Sequence, residues 1–397
     1  MQEANRLKRL PQYLFTIMDN LKQEAAAKGK DVIDLGMGNP DLPSPPNVVE
    51  ALVKAAVKPE NHRYPKPTDD VSKRFRRAIA QWYDQRFGVK LDPDTEVLPL
   101  IGSKEGISHL ALAFLNNDDI GMVTSPTYPV HANGIIMAGG ILYNIPIGPE
   151  NNFRPDFQTL PKEVVRMAKL LIVSYPHNPT AACVDLDFYN ELVAWGKGKD
   201  TILCSDLAYS DIVFDGYKAP SLLQAKGARD RDAYCVEFHT CSKSYNMAGW
   251  RIGWAVGHPE ILRSLAKAKS YIDFGIFPAV QEAAIEALIG PQDYVHNLVQ
   301  IYKRRRDMFV PGLHALGWNV PTPKATFYIW AHIPQKFSGL TSLDFSKLLV
   351  NEAGIVTAPG TGFGEYGEGF VRFALVEPEE RLKVALERLK KVLALKG

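Results

Sequence analysis

The stretch that decides the fold is Tyr234–Gly253, which reads YCVEFHTCSKSYNMAGWRIG. Its first residues form an apolar run rich in β-forming side chains, which predicts a strand over 234–238. Lys243 follows this run directly, and Arg251 stands eight residues further on. In open α/β sheets, ligands bind beyond the carboxyl ends of the strands. A lysine and an arginine at this place therefore indicate a ligand site.

Similar apolar runs alternate with helical patterns between about residues 48 and 260. Helical periodicity covers 71–87 and 104–115, and the remaining predicted strands cover 120–123, 141–145, 170–174 and 202–204. Strands separated by helices predict an α/β domain whose mainly parallel sheet has helices on both faces.

The two ends of the chain have a different pattern. Apolar residues at helical spacing, ending at Gly29, predict an amphipathic N-terminal arm. The C-terminal part has helical patterns over 293–316 and 378–395, with strands near 327–330 and 370–375, which is typical of a smaller α+β domain. We predict an arm with part of the small domain over 1–47, a large cofactor-binding domain over 48–288 and a small domain over 289–397.

Composition sets limits on the class of protein. The 397 residues are enough for two or three domains at about 150 residues each. Lys and Arg number 46 against 44 Asp and Glu, so a polybasic surface for nucleic acid is not expected. There is no apolar stretch of the roughly 20 residues that a bilayer span needs and no signal-peptide pattern, and we expect a cytoplasmic protein with no membrane partner.

Metal and disulfide chemistry have no support in the sequence. The 4 cysteines contain no Cys-x-x-Cys pair, and the 9 histidines show no His-x-x-x-His spacing. We therefore expect reduced thiols and no metal site. Gly362, Gly364 and Gly367 fit a dinucleotide fingerprint but leave no room for a complete βαβ unit, which favours a turn. We expect the basic run 303–306 to lie on a solvated helix face.

Several further polar residues follow the predicted strands directly. Asn178 follows 170–174, and Asp206 and Tyr209 follow 202–204. A lysine at a strand end can bind an aldehyde cofactor covalently, and pyridoxal 5'-phosphate also needs an acidic partner for its ring nitrogen. Asp206 can be that partner, and Asn178 and Tyr209 are suitable hydrogen-bond donors to the ring oxygen of the cofactor.

The cofactor phosphate and ring need partners of their own. Arg251, the Thr240 hydroxyl and a helix N-terminus at Ser103 and Lys104 can bind a phosphate. Tyr128 follows the predicted strand 120–123 and can hold the cofactor plane with its ring.

Five segments together resemble the class I/II aminotransferases, which are pyridoxal-phosphate enzymes of the aspartate aminotransferase fold (fold type I). They occur in order over almost the whole chain: 35–41, 177–180, 206–209, 242–253 and 371–373. The resemblance implies that Lys243 holds the cofactor and moves the proton between the substrate α-carbon and the cofactor. It also implies that Asp206 pairs with the ring nitrogen, and that Arg372 binds the substrate α-carboxylate with help from Asn178 and the Gly38 backbone.

Segments 242–253 and 269–277 look most similar to the alanine aminotransferase branch, with LL-diaminopimelate aminotransferases as close neighbours. The resemblance implies a ping-pong transfer from an L-amino acid to a 2-oxo acid, such as alanine or glutamate with pyruvate or 2-oxoglutarate. It implies a homodimer in which Tyr64 reaches the partner's cofactor phosphate, although the glycine that usually follows is missing from 65–70. Tyr13 is a candidate substrate-side aromatic from the arm.

Other functions stay open on the sequence alone. LL-diaminopimelate or aspartate transamination would need a clamp for the distal end of the substrate, and no lysine or arginine can be assigned to it by position. A pyridoxal-phosphate-dependent β-lyase would use the same lysine to break a different bond. A ligand-sensing domain of a transcriptional regulator is disfavoured, because the residues before Val32 are too few for a DNA-binding module.

Overall fold

The computed structural model describes residues 1–11 and 14–394. The helices are α1 Asn5–Lys8, α2 Leu14–Ala27, α3 Pro46–Ala56, α4 Asp70–Phe87, α5 Ser103–Phe114, α6 Pro129–Met137, α7 Lys162–Met167, α8 Leu186–Gly196, α9 Cys241–Ser244, α10 Pro259–Ser270, α11 Pro278–Ile289, α12 Asp293–Ala315, α13 Ser342–Leu348 and α14 Glu379–Ala394. The strands are β1 Ile33–Asp34, β2 Val97–Leu100, β3 Ile120–Ser125, β4 Ile141–Pro146, β5 Ala168–Val173, β6 Ile202–Asp206, β7 Cys235–Thr240, β8 Gly253–Gly257, β9 Tyr328–His332, β10 Ile355–Val356, β11 Ala358–Pro359 and β12 Phe370–Ala374. Within these ranges, no helix combines the length and apolarity that crossing a membrane requires.

A seven-stranded sheet forms the centre of the larger part, in the order β2-β8-β7-β6-β5-β3-β4. Strands β3 to β7 pair in parallel, and β8 runs antiparallel to both of its neighbours. The predicted α/β class with a mainly parallel sheet is thereby confirmed. Strands β2 and β8 were not predicted, because β2 contains Pro99 and β8 is a short run between two glycines.

Helices cover both faces of this sheet. On one face, α4, α8 and α11 pack through buried side chains such as Phe75, Phe188 and Ala284. On the other face, α5, α6 and α10 pack through residues such as Ile107 and Leu265. Because strands β3, β5, β6 and β7 are covered on both sides, they consist of buried residues almost throughout, which explains their continuous apolar runs.

A second core lies between α12, α14 and the antiparallel sheet β11-β12-β9. Strand β1, from the N-terminal segment, pairs in parallel with β10, so both ends of the chain contribute to this core. Tyr209 and Phe214, from the segment after β6, are also buried in it. The boundaries at residues 47 and 288 remain predictions.

The expectation that the basic run 303–306 lies on a solvated helix face is wrong for two of its four residues. Arg305 and Arg306 are each only 3% exposed. Arg305 donates to both carboxylate oxygens of Asp41, at 2.8 and 2.7 Å, and to the Leu375 carbonyl. Arg304, in contrast, keeps a side-chain exposure of 59%. The prediction from the charge pattern was wrong because the carboxylate partner of Arg305 lies 264 positions away in the sequence and allows the arginine to be buried.

Replacing Arg305 by methionine should destabilise the protein, since it removes a guanidinium that is only 3% exposed and that donates to the Asp41 carboxylate and the Leu375 carbonyl. We expect a loss of about 2 kcal/mol in the free energy of unfolding, measured by urea denaturation. Arg304→Met is the matched control on the same helix and should cost less than about 1 kcal/mol, because its ion pair with Glu379 is exposed. Equal losses in the two variants would contradict the structural role of the Arg305–Asp41 pair.

Candidate active site

The carboxyl edge of the parallel strands meets the second core, and most of the candidate residues lie at this junction. Asp206 ends β6, Lys243 lies in the short helix α9 after β7, and Arg372 lies on β12 of the smaller sheet. Gly38 comes from the loop after β1, and Asn178 from the loop after β5. Segments far apart in sequence thus form one cleft.

Lys243 lies at the centre of this cleft. Its Nζ donates a hydrogen bond to the Gly38 carbonyl at 2.8 Å and lies 5.9 Å from the centre of the Tyr209 ring. Burial, together with the positive charges of Arg372 and Arg251, lowers the pKa of the Lys243 amine to about 8, against an opposing effect of Asp206. A lysine with such a pKa is partly neutral near pH 7 and can act as a nucleophile and base.

Only one of the two carboxylate oxygens of Asp206 has a hydrogen-bond partner among the described residues. Its Oδ2 lies 2.9 Å from Nε2 of His131, and Nδ1 of His131 lies 2.7 Å from the Thr127 hydroxyl. The other oxygen, Oδ1, is buried and has no hydrogen-bond partner among the described residues. A buried acceptor with a fixed orientation is therefore available to a protonated nitrogen of a ligand.

Sequence reasoning missed His131 and Thr127. Both lie near the start of α6, which follows β3 at the same sheet edge. The available signal was a histidine one turn inside a helix that follows a parallel strand through a Pro-containing turn. Single histidines are common in protein cores, so the signal alone could not identify a partner of Asp206.

Arg372 is fixed by polar contacts at its edges and by rings on its faces. It donates to Oδ1 of Asn178 at 2.6 Å and to the Gly36 carbonyl at 2.8 Å. Its guanidinium carbon lies 4.0 Å from the centre of the Tyr328 ring and 4.6 Å from that of Phe363. A guanidinium held in one plane in this way is suited to binding a carboxylate through two parallel hydrogen bonds.

Two tyrosines connect this arginine with the large sheet. The hydroxyls of Tyr209 and Tyr328 lie 2.8 Å apart, and both side chains are buried. Burial raises the pKa of the Tyr209 hydroxyl well above its usual range, so Tyr209 stays protonated and can donate a hydrogen bond. Sequence analysis identified Tyr209 but not Tyr328.

The residues assigned to a phosphate lie where α5, α9 and β8 begin. Gly102 precedes α5 with φ of +93°, and a Cβ at this position would overlap the Arg251 guanidinium. A Cβ on Gly253 would lie 2.9 Å from the Ser103 nitrogen. The Thr240 hydroxyl caps α9 by accepting from the Ser242 nitrogen. Gly102 thus leaves room for the Arg251 guanidinium, and Gly253 leaves room for the Ser103 nitrogen. A guanidinium and a helix N-terminus at this place suit the binding of an anion.

The remaining candidates differ in their placement. Tyr128 precedes α6 and lies edge-on to His131 at a centroid distance of 5.9 Å, and Lys104 Nζ is 5.9 Å from the Tyr128 ring centre. Tyr64 is 75% exposed and packs on Phe274 of its own chain, with 4.8 Å between ring centres. Tyr13 lies outside the described residues.

The glycines at 362, 364 and 367 lie in turns, as interpreted from the sequence. Two short 3-10 turns, Gly360–Phe363 and Glu365–Gly367, occupy this stretch. The Phe363 carbonyl accepts from the Thr127 nitrogen at 2.7 Å, so the turn contacts the edge of the large sheet beside Arg372.

The chain is similar in sequence to known aminotransferases. The chain is 47% identical to an LL-diaminopimelate aminotransferase of Moorella thermoacetica, over 99% of each protein. It is 46% identical to the glutamate-pyruvate aminotransferase AlaC of Escherichia coli, over 97% of this chain and 92% of AlaC.

A solved structure and a family description extend the comparison. The substrate-bound structure of BacF from Bacillus subtilis has a TM-score of 0.93 and 37% identity, and the match covers 100% of this chain and 98% of BacF. The family described as "Aminotransferase class I and II" matches residues 30–389. The resemblance and fold expected from the sequence are thus confirmed, and the chain belongs to the class I and II aminotransferases.

Proposed function

We propose that this aminotransferase uses pyridoxal 5'-phosphate to move an amino group from an L-amino acid to a 2-oxo acid in a ping-pong cycle. One observation carries the proposal: Oδ1 of Asp206, which has no hydrogen-bond partner among the described residues, and the Lys243 amine, with its lowered pKa, lie at the same junction as the buried Arg372. A carboxylate, an amine and a guanidinium are the three groups that a pyridine ring, an aldehyde and a substrate carboxylate require.

The residues present fit this cofactor. The free Asp206 oxygen would accept from a protonated ring nitrogen, Tyr209 and the Asn178 amide would donate to the ring oxygen, and the Tyr128 ring would lie against the cofactor plane. Arg251, Thr240, Ser103 and the neighbouring Lys104 would hold the phosphate. When bound, pyridoxal phosphate supplies an electron-accepting ring that acidifies the hydrogen on the amino-acid α-carbon.

Each protein group then has a defined task. Arg372 binds the substrate α-carboxylate and so orients the α-carbon, while the Asp206 carboxylate keeps a proton on the ring nitrogen. Lys243 would remove the proton from the substrate α-carbon and deliver it to the cofactor carbon that had carried the aldehyde group. In the protein without cofactor, the pKa of about 8 leaves more of the Lys243 amine neutral at pH 7 than the pKa of a solvated lysine, about 10.4, would.

The reactivity of Lys243 in the protein without cofactor should follow its lowered pKa. We expect reductive methylation by formaldehyde, measured by mass spectrometry for each lysine, to increase through a midpoint near pH 8 at Lys243. Arg372→Gln removes one of the repelling charges, so the midpoint should move to higher pH. The exposed Lys54 serves as the internal reference in each sample. A Lys243 midpoint above pH 10 in the unmodified protein would contradict the proposed electrostatics.

The physiological substrate pair belongs to the proposal as well. We favour alanine or glutamate with pyruvate or 2-oxoglutarate, and LL-diaminopimelate is the second candidate, because relatives with these two names are almost equally similar to the chain. Arg372 can bind either candidate substrate, since every α-amino acid presents the same carboxylate. The two candidates differ in the distal end of the side chain, so contacts to that end must distinguish them.

A half-reaction screen tests function and substrate together. The purified enzyme, loaded with pyridoxal phosphate, should show visible absorbance that alanine and glutamate convert rapidly. Lys243→Ala should abolish both this absorbance and turnover, whereas the exposed Lys54→Ala should keep both. Conversion by LL-diaminopimelate but not by alanine would select the second candidate, and ammonia with pyruvate from cysteine would identify a β-lyase. Full turnover by Lys243→Ala would refute the proposed function.

We also propose that the chain forms a homodimer. Five large apolar side chains from two segments of the chain are 40% or more exposed: Tyr64 in one segment, and Tyr271, Ile272, Phe274 and Phe277 in the other. The pairs Tyr64–Phe274 and His62–Phe277 are in ring contact, so these segments form one surface. An exposed apolar surface of this kind favours an interface, and a second copy of the chain would bring Tyr64 to another molecule.

Sedimentation should therefore show a dimer, and Phe274→Asp should weaken it at least tenfold by placing a charge in the apolar surface. Leu112→Asp is the control, because Leu112 is a comparably exposed apolar residue, at 51%, on a helix distant from this surface in sequence. The Leu112 variant should remain dimeric. A monomeric unmodified protein at micromolar concentration would contradict the proposal.

A further inference from the structure

Tyr328 contacts three parts of the active site at once. Its hydroxyl lies 2.8 Å from that of Tyr209, and its ring lies 4.0 Å below the Arg372 guanidinium carbon. The same hydroxyl lies so close to Gly38 that a Cβ on Gly38 would overlap it. Tyr328 is only 2% exposed, so none of these contacts competes with bulk water.

The direction of the hydrogen bond between the two tyrosines follows from the number of protons that their hydroxyls can donate. Each phenol has one proton to donate. Within the part of the chain that the structure describes, Tyr209 is the one hydrogen-bond partner of the Tyr328 hydroxyl. If Tyr209 directs its proton to the ring oxygen of the cofactor, then Tyr209 must accept the proton of Tyr328.

We propose that Tyr328 is a positioning residue: its hydroxyl donates to Tyr209 and so directs and strengthens the hydrogen bond of Tyr209 to the cofactor, while its ring fixes Arg372 for the substrate carboxylate. The inference rests on the proposed use of pyridoxal phosphate. Hydrogen bonds in a chain polarise one another, so a donor behind Tyr209 makes Tyr209 a better donor in turn. One side chain thereby links the cofactor side and the substrate side of the cleft.

The two parts of Tyr328 have separable consequences. The hydroxyl of Tyr328 acts through Tyr209, whose hydrogen bond would stabilise negative charge on the cofactor ring oxygen. A proton on the neighbouring nitrogen, which would join Lys243 to the cofactor, is then less favoured. The ring acts on Arg372 through a cation–π contact at 4.0 Å. Removing the hydroxyl should therefore alter the proton affinity of the bound cofactor, and removing the ring should also weaken substrate binding.

The test is a pH titration of the visible absorbance of the holoenzyme. Tyr328→Phe should raise the titration midpoint by about half a unit to one unit, a three- to tenfold change in proton affinity. The KM for the amino-acid substrate should change less than about twofold, because the ring below Arg372 remains. Tyr328→Leu should raise the midpoint similarly and, in addition, raise KM by about threefold or more.

Tyr302→Phe is the matched control. Tyr302 is a fully buried tyrosine of the same core, its ring centre lies 5.0 Å from that of Phe327, and its hydroxyl has no hydrogen-bond partner among the described residues. Its variant should titrate as the unmodified enzyme does. In a Tyr209→Phe background, Tyr328→Phe should have no further effect on the midpoint, since the hydroxyl that transmits the effect is gone.

The outcomes separate this inference from the proposed function. An unchanged midpoint in a folded, cofactor-loaded Tyr328→Phe enzyme would overturn the role of Tyr328 and leave the use of the cofactor standing. A shift that persists in the Tyr209→Phe background would also overturn it, because the effect would then not pass through Tyr209. An unmodified protein without cofactor absorbance would refute the proposed function, and the inference with it.

Discussion

The candidate active site depends on the way Arg372 is held between two parts of the molecule. The guanidinium donates to Asn178 at the edge of the large sheet and to the Gly36 carbonyl after β1, while its own backbone belongs to β12. These contacts join segments separated by 194 and 336 positions in the sequence. Because the arginine is only 3% exposed, a displacement of either segment would leave a buried charge without compensation. The cleft therefore forms only when both cores are correctly placed.

This arrangement concentrates charge where solvent screens it little. The net charge of the chain is only +2, yet the buried Arg372 and Asp206 lie at one junction with the half-buried Lys243. Burial and the positive charges of Arg372 and Arg251 account for the lowered pKa of Lys243. The same burial and repulsion reduce the stability of the folded protein. Active sites commonly give up stability in this way, and the large apolar cores on both faces of the sheet offset the loss.

Sequence patterns predicted those features that depend on neighbouring residues in the chain. The parallel strands were predictable because burial on both faces requires continuous apolar runs, and Asp206 and Lys243 were identifiable because they follow such runs directly. His131, Tyr328 and the buried state of Arg305 were not predictable. Each of these depends on a partner 75 to 264 positions away, with which one sequence shows no visible relation. Strand β8 was missed for another reason, since pairing with β7 and β2 rather than its own composition makes it a strand.

The loop after β1 shows why a glycine-rich segment can matter through its backbone. The Gly36 carbonyl accepts from Arg372, and the Gly38 carbonyl accepts from Lys243. Further along, the carboxylate of Asp41 holds the same loop to Arg305 of α12. The position of this loop is thus set by three cations of the chain, two of which, Lys243 and Arg372, belong to the candidate site. A side chain at residue 38 would displace Tyr328 and with it the face on which Arg372 rests. Gly38 is therefore required for the space that it leaves to Tyr328, while the carbonyl oxygens of Gly36 and Gly38 hold the two cations of the candidate site.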